Sequence, residues 1–139
     1  ATDHAPHTAD EKANKYLDAP SGGPLVQHAM EALFEMYHKG YISPEKIVEK
    51  TAHNPAILFQ IAERGYIREG YKADLVLIDP NAPWTVTKEN LLYKCGWSPF
   101  EGTTFRSRVM HTFVNGVHVY SNGKFPNTGL GERLTFNRS

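Results

Sequence analysis

Cys95 is the single cysteine in the chain, so no internal disulfide can form and no cysteine cluster can hold zinc. That usage fits a reducing compartment and gives the expectation of a cytoplasmic protein. Net charge is also missing, because 15 Lys and Arg balance 15 Asp and Glu. No broad field is therefore available to gather nucleic acid or anionic lipid. No apolar run approaches the roughly 18 residues of a membrane span, which predicts a soluble chain. A Gly-rich phosphate loop, a Ser-His-Asp set and a charged-then-apolar leader are absent as well. What remains is 40% hydrophobic with seven Phe, seven Tyr and two Trp, enough for a packed core in 139 residues.

Helical periodicity dominates the first half. Pro24 suits a first helical position, Val26, Ala29, Met30, Leu33, Met36 and Tyr37 recur at helical spacing, and Gly40 supplies a stop. A second helix is expected behind the N-cap Ser43 and Pro44, with Ile47, Val48, Thr51 and Ala52 as its buried stripe. Asn54-Pro55 should end it and restart a short helix through Ile61. Strand chemistry then takes over. Ala73 to Ile78 is a nearly continuous apolar run that reads as a strand buried on both faces. Trp84 to Val86 is a candidate short strand. Val109 to Val114 and Val117 to Tyr120 flank Asn115-Gly116, a strong hairpin signal, and Ser121-Asn122-Gly123 closes the unit. The tail after Pro126 is expected to be loose. Such a succession suits an α+β domain or unfinished parts of two domains.

Asp3-His4-Ala5-Pro6-His7 places one carboxylate and two imidazoles within five residues. Asp and His are suitable zinc ligands, and Asp can serve as a general base. Pro6 biases Ala5 toward extended backbone, so these groups project from a turn rather than a helix. By spacing alone the simpler account is an Asp capping a turn beside two exposed histidines. Elsewhere the plain reading also wins. His53 reads as a helix-terminus residue, His28 and His38 as helix surface, and His111 with His118 as a half-buried pair on the hairpin. Cys95 reads as packed, Asp10-Glu11-Lys12 as a solvated face, and Asp74 and Asp79 as structural carboxylates.

The motifs change that weighting when taken in order. Thr2-Asp3-His4-Ala5-Pro6-His7 resembles the segment that closes the active site of dihydroorotases, in the amidohydrolase superfamily. Ala19-Pro20-Ser21-Gly22 resembles that family's substrate loop. Ser43-Pro44-Glu45-Lys46-Ile47-Val48 and Asn54-Pro55-Ala56 resemble the helices after barrel strand eight. Lys72-Ala73-Asp74-Leu75-Val76-Leu77-Ile78-Asp79-Pro80 resembles the strand that returns to a small β-domain, and Trp97-Ser98-Pro99-Phe100-Glu101-Gly102 and Val114-Asn115-Gly116 follow in the family's order.

The resemblance implies an α/β chain. Residues 1–64 would be the end of a metal-dependent (β/α)8 TIM barrel, with the end of strand eight, the substrate loop and the terminal helices. Residues 65–139 would be strands of a small composite β-sandwich domain and a C-terminal tail. It further implies a zinc enzyme, with two ions in the complete protein, that opens the cyclic amide of dihydroorotate to N-carbamoyl-aspartate and closes it again. Asp3 would ligate one metal and carry the proton of the attacking water. His7, with Ser21 and Gly22, would hold the substrate carboxylate, and His4 would be a neighbour.

A (β/α)8 barrel takes about 250 residues. The expectation is therefore a C-terminal fragment, inactive and unstable alone, that relies on the rest of its polypeptide within a homo-oligomer. Dihydropyrimidinase or allantoinase chemistry, a non-catalytic assembly module, and a free-standing small α+β binding domain are the competing readings. No nucleic acid or membrane partner is expected.

Overall fold

The computed structural model describes residues 2–137. Two compact units emerge, one formed by Ala1–Glu35 with Asn81–Arg108 and the other by Met36–Pro80 with Val109–Ser139.

The first unit begins with irregular backbone and a short helix, α1 (Ala9–Lys12). Thr8 and Glu11 explain why a helix starts there. The Thr8 hydroxyl accepts from the Glu11 amide at 3.2 Å, and the Glu11 carboxylate accepts from the Thr8 amide at 2.7 Å. This reciprocal capping box satisfies orphan amides at both positions. The Thr8 amide, together with the Thr8 hydroxyl donating to the same carboxylate oxygen at 3.0 Å, holds the Glu11 carboxyl below its ordinary range. Asp10-Glu11-Lys12 is thus not simply a solvated face. A 3-10 turn (Val26–His28) then leads into α2 (Ala29–His38), so regular helix begins later than Pro24.

Strands β2 (Trp84–Thr85) and β3 (Thr104–Phe105) pair antiparallel, with the Thr85 and Thr104 hydroxyls 2.8 Å apart. They frame a core of Pro24, His28, Val86, Phe105 and Ser107, each under 2% or at 2% exposed. His28 overturns the sequence expectation of a surface position, for it is fully buried. Trp84 and Phe105 stack on its ring, and Tyr93 and Phe100 meet it edge-on. The reason is the choice of face. The 3-10 turn sets His28 three residues ahead of Glu31, which is buried within regular α2, while Met36 and Tyr37 stay exposed, so the buried face is not the one the apolar spacing marks.

In the second unit, Gly40 at φ +74 ends α2. Its amide donates to the Tyr37 carbonyl at 2.8 Å, and the Tyr41 amide reaches back to Met36 at 3.0 Å. Those are the two bonds of a Schellman cap, which needs the left-handed residue that glycine supplies without a Cβ penalty. Ser43 caps α3 (Pro44–Val48) by accepting from the Lys46 amide at 3.2 Å. Of the expected stripe, Ile47 is buried, whereas Val48 and Thr51 are exposed.

A short helix restarts at Asn54-Pro55 as expected, although it ends at Leu58 rather than Ile61, and the backbone runs into it without a break. A π turn (Glu49–His53) carries the backbone into α4 (Asn54–Leu58), with the Asn54 amide bonded to the Glu49 carbonyl. Widening to the i→i−5 pattern relieves the clash that a proline ring makes with the carbonyl four residues back. Gly65 closes over this segment at φ +84. A Cβ there would lie 2.5 Å from the Ala56 Cβ and 2.9 Å from the Ala52 carbonyl oxygen, so no other residue fits.

The sheet has the order β1 (Leu75–Asp79), β4 (Arg108–Val114), β5 (Val117–Ser121). Asn115 at φ 52 and Gly116 at φ 80 make the two-residue turn between β4 and β5. Asn122 and Gly123 repeat the device, and Ser121 and Lys124 exchange backbone bonds of 2.9 Å across it. His111 and His118 pair at 3.0 Å, as the half-buried reading expects.

Strand β1 is not buried on both faces, because Val76 and Leu77 remain about half exposed at 49% and 48%. The tail is not loose either. The Ala62 amide donates to Thr135 at 2.9 Å, the Asn137 amide to Gln60 at 2.8 Å, and Glu132 lies 3.1 Å from Lys72. Asp74 accepts from the Asn115 amide at 2.8 Å and pairs with Arg64, whose second arm reaches the Asn115 side chain at 2.7 Å. That role agrees with a structural carboxylate.

Candidate functional site

The opening segment is held in place by the loop that follows α1. The Ala5 amide donates to the Gly23 carbonyl at 3.0 Å within a parallel bridge between His4 and Gly23. The Val26 amide donates to His4 Nδ1 at 3.2 Å, so that nitrogen serves the backbone rather than a ligand. Gly22, at φ +88, lies so close that an added Cβ would stand 2.7 Å from the Ala5 Cβ. Asp3, His7, Ser21 and Gly22 therefore come from two strands of chain laid side by side.

Asp3 is exposed and sits at φ 47. A non-glycine residue in the left-handed region is uncommon, although Asp tolerates it better than most. Such backbone strain clusters at functional sites, where the surroundings enforce it. His7 is anchored through its backbone. Its carbonyl accepts from Trp97 Nε1 at 2.7 Å, while its ring Nδ1 stands 3.8 Å from a Glu11 oxygen. Ser21 and Gly22 are exposed.

Two contributors escaped the sequence reading. Trp97 holds the His7 carbonyl from ninety residues away, and the sequence marked it only as the start of a motif, not as a partner of His7. Lys12 donates from its ammonium to the carbonyls of Pro20 at 2.6 Å and Gly22 at 3.1 Å. For Lys12 a signal existed, since Thr8-x-x-Glu11 announces a helix that would carry the lysine toward the loop.

Among the described residues no group of three His, Cys, Asp or Glu side chains is arranged to hold a metal ion. The Asp3 carboxylate is exposed and could offer an oxygen ligand to a cation. Among the described residues no helix is long and apolar enough to cross a membrane.

Comparison with known proteins places this geometry. Residues 1–119 match the amidohydrolase family. The chain belongs to the amidohydrolase family. It is 46% identical over 120 residues to a dihydroorotase of Halobacterium salinarum, covering 86% of this chain and 28% of that protein. A dihydroorotase of Clostridium acetobutylicum is 40% identical over 121 residues, with 86% and 28% covered. One from Pyrococcus horikoshii is 34% identical over 134 residues, with 96% and 31% covered. The chain thus spans under a third of the length of these curated relatives.

Among solved structures, a dihydropyrimidinase from Brevibacillus agri NCHU1002 superposes with a TM-score of 0.83 at 32% identity, over 89% of this chain and 28% of that one. A D-hydantoinase (dihydropyrimidinase) from a Thermus species gives a TM-score of 0.82 at 23% identity, over 90% and 28%, which speaks to the fold alone. This amidohydrolase chain is therefore an α/β segment with the fold of the corresponding part of those enzymes.

Proposed function

We propose that this chain is the C-terminal part of a dihydroorotase, which reversibly hydrolyses the cyclic amide of dihydroorotate to N-carbamoyl-aspartate in de novo pyrimidine biosynthesis. The observation that carries the reading is the pairing of the Asp3–His7 segment with the loop at Ser21–Gly23, which lays the stretch of chain bearing an exposed carboxylate at positive φ and two imidazoles against a glycine loop. The dihydroorotase relatives support the same choice. Residues 1–64 are read as the end of a (β/α)8 barrel and residues 65–139 as part of a small β-domain with the tail. The remaining polypeptide supplies the other ligands of a zinc centre of two ions, and the complete enzyme is a cytoplasmic homo-oligomer.

Asp3 would be one ligand of that centre. Bound zinc lowers the pKa of water from 15.7 to about 7, which makes a nucleophile available at neutral pH. The chemistry left to this chain is proton transfer and recognition. The Asp3 carboxylate takes the proton of the attacking water. As the ring carbon–nitrogen bond breaks, Asp3 returns that proton to the departing nitrogen, and the products balance as one water added across one amide. His7 holds the substrate carboxylate, with Ser21 and Gly22 bordering it.

The runner-up is dihydropyrimidinase chemistry, favoured by the dihydropyrimidinase and D-hydantoinase names of the solved structures. His7 favours dihydroorotase over it, because dihydrouracil offers no ring carboxylate for an imidazole to hold. The test is turnover by the zinc-loaded polypeptide that contains this chain. Dihydroorotate should be hydrolysed at least about tenfold faster than dihydrouracil, measured as kcat/KM. Faster opening of dihydrouracil would overturn the assignment, and inertness toward both would favour a non-catalytic assembly module.

A further inference from the structure

Lys12 is half-buried on a helix of four residues, and its ammonium meets two carbonyls of the same loop. The acceptors are Pro20 O at 2.6 Å and Gly22 O at 3.1 Å, which bracket Ser21. In a trans peptide the C=O and the following N–H point in opposite directions. Turning the Pro20 carbonyl toward Lys12 therefore turns the Ser21 amide away from it. The Gly22 carbonyl is fixed in the same sense, and the next residue, Gly23, is the one that pairs with His4 and accepts from the Ala5 amide. One cation thus sets both peptide planes around Ser21 and the register of the loop against the segment that carries Asp3 and His7.

The loop lies close against that segment, since even a methyl on Gly22 would meet the Ala5 Cβ at 2.7 Å. Charge-assisted bonds to carbonyls are about twice as strong as neutral ones, so a single lysine is enough for this task. The capping box on Thr8 and Glu11 holds the helix that delivers it.

We propose that Lys12 is a positioning residue for substrate recognition. It orients the Pro20–Gly23 backbone so that the loop presents a fixed donor edge to the substrate's carboxylate. The proposal rests on the dihydroorotase reading for the identity of that substrate. Lys12 acts through the carbonyls of the loop, so its loss weakens binding and leaves the proton-transfer machinery intact.

The experiment compares Lys12→Met, Lys12→Gln and Lys12→Arg in the complete polypeptide. For Met and Gln, KM for dihydroorotate should rise about tenfold while kcat stays within about threefold, and Arg, which keeps the charge and the donors, should recover most of the loss. Independently of activity, hydrogen exchange at the amides of Ala19, Ser21, Gly22 and Gly23 should speed up by about tenfold in Met and Gln and stay near the parent rate in Arg. A fall in kcat at unchanged KM, unaltered exchange, or loss of the whole fold in both neutral variants would each overturn the proposal. If the parent polypeptide leaves dihydroorotate intact, the functional reading fails by itself, and the exchange arm alone decides the role of Lys12.

Discussion

Asp3→Asn should lower kcat for dihydroorotate by about 10³-fold in the complete polypeptide, since general acid and base groups contribute about 10² to 10⁴. The substitution isolates chemistry from folding. Asn has nearly the shape of Asp and is also enriched among residues that accept positive φ, so the backbone at φ 47 gains no new strain. What is lost is the charge that helps hold a cation and the lone pair that receives a proton. Steady-state kinetics, with circular dichroism as a control on the fold, checks this. Turnover within about threefold of the parent would remove Asp3 from the mechanism.

The second large effect concerns stability in acid. His28 is fully buried and neither ring nitrogen has a hydrogen-bond partner among the described residues. Burial pushes the imidazole pKa down from its ordinary value. The rings that face it belong to Trp84, Tyr93, Phe100 and Phe105, and of these only Tyr93 titrates, with its hydroxyl pushed up by burial and so neutral.

The sign of the linkage follows from the lowered native pKa. Above about pH 6.5 both folded and unfolded chains leave His28 neutral, and it adds no pH dependence. Below that, the unfolded chain binds a proton that the folded one refuses, so stability falls as pH drops toward the native pKa. The slope contributed reaches about 1.4 kcal/mol per pH unit between the two values. Urea unfolding at a series of pH values should show this fall in the parent and a clearly shallower one in His28→Leu, which keeps an apolar side chain in the box. Identical slopes would mean that His28 ionises without cost.

These two residues also mark what the sequence could and could not disclose. Turns were legible because their chemistry is local. Asn115-Gly116, Ser43-Pro44 and Gly40 each need only their own backbone angles or caps, and each is found where expected. The family was legible through the order of its motifs along the chain, and the match over residues 1–119 bears that out. Burial was less legible, because it depends on partners remote in sequence. His28 looks like a surface residue until Trp84, Phe100 and Phe105 close around it. The pairing of β2 with β3 rests on two residues from each strand, too few to leave a period.

The half-exposed Val76 and Leu77 fail the doubly buried expectation for a different reason. An apolar run records the surroundings for which a strand was selected, and the described residues of this chain leave part of that surface uncovered. Pro55 shows the reverse case. A proline that ordinarily stops a helix is absorbed by one π turn just ahead of it.

The central claim is that Asp3 faces a metal whose other ligands come from the rest of the polypeptide. The direct measurement is an anomalous-difference map at the zinc edge from crystals of the complete zinc-loaded protein. A peak about 2.0–2.2 Å from an Asp3 carboxylate oxygen is the result predicted here. An Asp3 side chain turned into bulk water, with zinc bound elsewhere, would contradict it.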